Sequence, residues 1–267
     1  METVTITNPD DRSYPFNKEF FDNPEILYHG SWSTYAKAIE VEGFVHGALP
    51  FDWKDVASVF EANRSIGRGS YLRVFLGERY PREEPPRDLS VTGNFWLARA
   101  YATDGGGEVA RKTIEEAQSF EEICTIREKR AALKAYWQEG LPECPDHPAT
   151  VAAIRMLEDE QSLSRLCGEV KSIRERLTGL TNGGFPVVYA VRVQPEWFGE
   201  RWPKYMSDWD MTIRAHELRC SGDLVPPDRI IAKAEYTNGT DRDFMPTCFH
   251  SWEEYQQIWN RASRNQK

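Results

Sequence analysis

The sequence predicts an α+β fold, with short and mainly antiparallel strands and a helical segment inserted between them. Three observations predict it. β-Branched and aromatic runs stand toward both ends of the chain, among them EILYH at 25–29 and FPVVYAVRV at 185–193. Between them Leu163, Leu166, Val170, Ile173 and Leu177 step by three and four, as one face of a helix does. Proline and glycine gather in the connections YPREEPPR (80–87), LPECPDHP (141–148) and TNGG (181–184).

Taken in order, the region to about Gly107 is loop-rich and aromatic. EILYH reads as a strand, and a short helix over 33–42 follows, with Tyr35, Ala36 and Ile39 on one side and Gly43 as its stop. YLRVFL (71–76) and NFWLA (94–98) read as further short strands, and 80–87 as a surface loop. Residues 108–177 read as helix: Ile123, Ile126, Leu133 and Trp137 repeat the spacing one segment earlier, and Pro148 suits the first turn after the break. The expected organisation is one domain with a helical hairpin inserted at about 108–178. After TNGG come the strand 185–193, an irregular aromatic stretch (195–210), strands near 211–220 and over 230–236, and a polar, aromatic helix over 251–262.

Composition narrows the function. Forty-two acidic against 33 basic residues give a net charge of -9, which disfavours indiscriminate nucleic-acid binding but leaves room for a local basic groove. No stretch approaches the ~18 to 20 apolar residues of a membrane helix, and residues 1–13 carry no leader, so a cytoplasmic protein is expected. The five Cys are scattered and form no CxxC pair, indicating a reduced protein with neither a disulfide framework nor a zinc site. Only Cys144 and His147 have a metal-like spacing, and no second pair accompanies them. The absence of GxSxG, GxxxxGK[ST] and strand-borne GxGxxG patterns removes hydrolase and Walker-type readings.

What remains is an ordered set of segments. Tyr28, His29, Gly30 and Ser31 end a strand and lead to I..EGF at 39–44; Gly93 to Ala102 reads GNFWLARAYA; Glu217 stands in HELRC, ahead of VPPDRI at 225–230. Together they resemble the ADP-ribosyltransferase superfamily, in particular its branch with a His, Tyr, Glu triad, related to poly(ADP-ribose) polymerases and bacterial toxin-type members. The resemblance implies a split antiparallel β core, NAD as substrate and no metal. Loss of nicotinamide breaks a glycosidic C–N bond through a sugar cation, which a carboxylate stabilises. By motif, Glu217 supplies that carboxylate and His29 hydrogen-bonds a ribose hydroxyl. The Gly30 backbone approaches the nicotinamide amide, with Tyr28 and Ser31 beside it. Where the family has a stacking Tyr, this chain has Trp96, or Phe95 if the strand slips by one; either keeps a ring and neither keeps the hydroxyl. Tyr101 closes the other side of the pocket.

The loop before Glu217 contacts the acceptor in this superfamily. Ala215 stands where arginine-modifying members carry a second Glu, which speaks against arginine. Trp202, Trp209 and Arg214, with Trp197, Phe198, Tyr205, Arg201 and Lys204, interleave aromatics and cations, as suits stacking on exposed bases beside phosphates. RNA or DNA is thus favoured over protein as acceptor. SIGRGS (65–70), within a run of arginines, offers backbone to a phosphate or is a solvated surface paired with nearby Glu. The family frame implies a toxin held by a neutralising protein partner. Protein-directed transfer, an RNA 2′-phosphotransferase and a catalytically inactive NAD- or ADP-ribose-binding module are the alternatives.

Overall fold

The computed structural model describes residues 3–10, 13–23, 25–45, 51–76, 88–103, 107–139, 147–198, 218–221, 224–239, 252–253 and 255–257. In chain order the elements are β1 (Val4–Thr7), α1 (Lys18–Asp22), β2 (Ile26–Trp32), α2 (Ser33–Glu42) and β3 (Phe44–Val45). Then come α3 (Trp53–Ser65), α4 (Arg73–Leu76), β4 (Asp88–Val91) and α5 (Phe95–Ala102). Next are α6 (Glu108–Thr125), α7 (Arg127–Glu139), α8 (Pro148–Glu158) and α9 (Glu160–Thr181). The last are β5 (Pro186–Arg192), β6 (Leu218–Ser221), β7 (Leu224–Val225) and β8 (Ile230–Glu235), with 3₁₀ turns at Pro195–Phe198 and Pro227–Arg229. The fold is α+β, and no helix among the described residues is long and apolar enough to cross a membrane.

The chain divides into two units. One holds Met1–Ala48, Pro86–Gly107 and Gly183–Lys267; the other holds Leu49–Pro85 and Glu108–Asn182. In the first, a four-stranded sheet runs β1-β8-β5-β2, antiparallel except for the parallel pair β1 and β8. The apolar run predicted as a strand becomes β5, buried from Pro186 to Val191 because elements cover both its faces. Tyr28, Val188, Ala190, Ala232 and Ala234 share one face with α5. Leu27, Val187, Tyr189, Val191 and Ile230 share the other with Phe44 and, from α2, Ile39.

α2 ends where Gly43 takes φ +80°, and a Cβ there would lie 2.0 Å from the Val225 carbonyl oxygen. Glycine therefore both stops the helix and lets β3 reach β7. Lys233 ties α2 to the sheet, donating to Glu40 at 2.6 Å and reaching Glu235 at 2.7 Å. Burial alone pulls the Lys233 pKa down, but those carboxylates outweigh it and hold it above the ordinary value.

The helical unit differs from the sequence expectation. Residues 108–178 supply only part of it, and Leu49–Pro85 supplies the rest. Trp53, Val56, Val59 and Ala62 repeat at three, and α3 buries them, with Ile66 just past its end, against α6 and α9. The run 71–76 is no strand: its last residues form α4. Breaks at Ile126 and Asp159 divide the expected hairpin into four helices, and Asp159 caps α9 by accepting from the Ser162 N–H at 3.0 Å. Pro148 opens α8 as predicted, while the His147 ring accepts from the Ala149 N–H at 3.3 Å and so serves as a cap.

Of the two readings of SIGRGS, the surface paired with acidic residues is the one seen. The donors at its end meet a carboxylate of the protein itself: Ser70 Oγ and the Tyr71 N–H donate to Glu116 at 2.5 Å each, and the Leu72 N–H at 3.3 Å. Arg64 pairs with Glu61 at 3.3 Å, and Arg68 donates to the Asn63 side chain at 3.3 Å. Arg79, Arg82 and Arg87 lie outside the described residues.

Candidate functional site

The site is built on β2. In an antiparallel strand the N–H and C=O of alternate residues point to opposite edges. Tyr28 exchanges both its backbone bonds with Thr92, at 2.7 and 2.9 Å, on the edge away from β5. Gly30, two residues on, directs its N–H and C=O to that same edge. Beyond Thr92 the chain no longer runs alongside β2, because Asn94 accepts from the Trp96 and Leu97 N–H groups at 3.0 and 3.2 Å and starts α5. The two Gly30 backbone groups consequently meet no hydrogen-bond partner among the described residues. The sheet splits there, leaving a donor and an acceptor side by side.

His29 lies on the opposite face from the Gly30–α5 contact. It stands opposite Tyr189 in register, and Phe44 packs edge-on to both rings, at 4.7 Å from His29 and 5.6 Å from Tyr189. Burial, then Glu40 and Glu235, hold the Tyr189 hydroxyl protonated far above its usual range. Ser31 shares the face of His29 and is half-buried, opposite Val187.

Gly30 itself is pressed against α5. A Cβ there would lie 1.9 Å from the Ala98 carbonyl oxygen and 2.7 Å from the Ala102 nitrogen. The glycine is thus required for helix-on-strand packing, in addition to whatever approaches its backbone. Tyr101 is half-buried, one position from Ala102 and on the helix stripe adjoining Ala98.

The second motif needs correction. Asn94–Ala98 is a helix start, and its rings face away from His29. Phe95, Trp96 and Tyr28 are 1%, 3% and 3% exposed, in a cluster with Tyr14, Phe16 and Tyr255. Trp96 lies 5.6 Å from the Tyr255 ring and 6.1 Å from that of Tyr14, while Phe95 is edge-on to Tyr28 at 5.6 Å. Tyr28 shares a hydrogen bond with the Tyr14 hydroxyl and donates to the Phe20 carbonyl at 3.3 Å. These side chains are core, and the sheet separates them from His29, so Trp96 and Phe95 are not placed as a stack for a ligand held by His29. Trp96→Leu is expected to cost about 2 kcal/mol and lower the thermal midpoint by roughly 4–8 °C, read by calorimetry.

Glu217, Trp202, Trp209, Arg214 and Ala215 lie outside the described residues. Leu218, directly after Glu217, opens β6 opposite Val91, and Val91 is the chain neighbour of Thr92. Trp197 packs on the cluster of Leu27 and Phe44.

Sequence reading missed Thr92, Tyr189 and the fully buried Arg99 of α5. Only Asn94 carried a readable signal, as a capping residue before an apolar run. Burial of a guanidinium demands compensation within the fold. Among the described residues, no cluster of three His, Cys, Asp or Glu side chains could hold a metal ion. Set against known proteins, the chain matches no family model, no curated protein and no solved structure.

Proposed function

We infer that the chain is an NAD-dependent ADP-ribosyltransferase, releasing nicotinamide and joining ADP-ribose to a macromolecular acceptor. The observation that carries this reading is the paired N–H and C=O of Gly30 on the split edge of β2, next in sequence to His29. A carboxamide offers one acceptor and one donor, the complement of such a pair, so nicotinamide fits as an added strand would. His29 then holds a ribose hydroxyl. The C–N electron pair leaves with nicotinamide, and Glu217 stabilises the sugar cation until an acceptor nucleophile attacks the anomeric carbon and loses its proton. The acceptor is RNA or DNA, on the aromatic and basic residues Trp202, Trp209 and Arg214.

Loss of the expected ring stack favours one second reading, a module that binds NAD or ADP-ribose without turnover. The neutralising partner and the role as a toxin rest on the family resemblance. Labelled NAD in a cell lysate tests the reading: label should enter nucleic acid, and its entry into protein alone would replace the acceptor. His29→Ala should weaken NAD binding about tenfold by calorimetry, the worth of one good hydrogen bond. Absence of NAD binding by the folded wild type would remove the proposal altogether.

A further inference from the structure

We propose that Cys124 and Cys167 form a reversible disulfide that staples α6 to α9, a modification site for thiol oxidants within the helical unit. Both cysteines are free and half-buried, and they stand on helices packed against each other. Glu121, one turn before Cys124, fixes the two helices by accepting from Arg174 at 2.6 and 3.1 Å. Ile123 and Phe120 on one helix and Leu163, Leu166 and Val170 on the other belong to a single apolar cluster that also holds Cys124. The two thiols are neighbours where these helices pack. Closing such a contact to the ~2.05 Å of an S–S bond asks for little movement of either helix.

Burial and the neighbouring thiol push Cys124 up to about 12, which slows its ionisation. One thiol of the pair, on losing its proton, attacks a low-molecular-weight disulfide and expels one small thiol, leaving a mixed disulfide. The other then attacks the protein sulfur of that mixed disulfide, its proton passes to solvent, and the second small thiol departs. Two protein thiols are oxidised and one small disulfide is reduced to two thiols. The new covalent loop encloses α7 and α8 and restricts the unfolded chain more than the folded one. Nothing in the spacing of 124 and 167 announces the pair; helix packing creates it.

The full chain treated with oxidised glutathione, digested without reductant and examined by mass spectrometry tests the proposal. A peptide joining Cys124 to Cys167, two hydrogens lighter than its parts, is expected, with a thermal midpoint raised by at least about 5 °C and restored by reductant. Cys124→Ser and Cys167→Ser should each abolish both effects while keeping the wild-type midpoint under reducing conditions within a few degrees. Both thiols remaining open to alkylation after oxidation, or Cys167 joined to a different cysteine, would overturn it.

Discussion

Glu217→Gln is expected to bind NAD like the wild type, melt at the same temperature and transfer ADP-ribose roughly 100-fold more slowly or worse. The amide keeps the shape and most hydrogen bonding of the carboxylate but lacks the negative charge that a ribose cation requires. Three measurements on one purified variant separate the readings: NAD affinity, thermal midpoint and label transfer. A binding module loses nothing by the change, and a structural carboxylate takes the midpoint down with it. Unchanged transfer would remove Glu217 from the site and leave the enzyme reading without its carboxylate.

The second large effect belongs to Gly30→Ala. The added methyl meets backbone, the Ala98 carbonyl oxygen at 1.9 Å and the Ala102 nitrogen at 2.7 Å, and no side-chain rotation relieves it. α5 must move off β2, at a cost of about 3 kcal/mol or more and a midpoint lowered by roughly 6–12 °C. Gly69→Ala is the matched control, since a Cβ at Gly69 meets nothing within 4 Å. An unaltered midpoint in the Gly30 variant would mean that α5 does not seat on the glycine.

These predictions show which parts of the molecule its sequence makes readable. The strand ending in His29, the helix closed by Gly43, the buried strand after TNGG and Pro148 at the head of α8 follow from local chemistry, and each lies where expected within a few residues. Two kinds of feature do not. The apolar stripe of α3 is obscured in the sequence by its aromatic and charged neighbours, which read as loop. The faces of the site depend on the register of β2 with β5 and on where α5 docks, neither of which is local. Hence Phe95 and Trp96, adjacent to Gly30 in motif terms, fall on the far side of the sheet from His29. Asn94 is the local signal that this segment starts a helix, since its side chain accepts from the Trp96 N–H.

The parallel pairing of β1 with β8 bears on how the protein comes into being. Val4 sits opposite Ala232, and the Tyr14 N–H donates to the Tyr255 hydroxyl at 2.6 Å. On the ribosome, β1 must wait until residues 230–235 have been made, roughly 10 to 50 s at ordinary elongation rates. The helical unit takes its longest segment, Glu108–Asn182, from one unbroken stretch, so its contacts can form well before the sheet closes. Until residues 186–192 have been made, Ile26, Leu27 and Tyr28, which the finished sheet buries, stand without β5. For that time they are exposed apolar surface of the kind that chaperones hold.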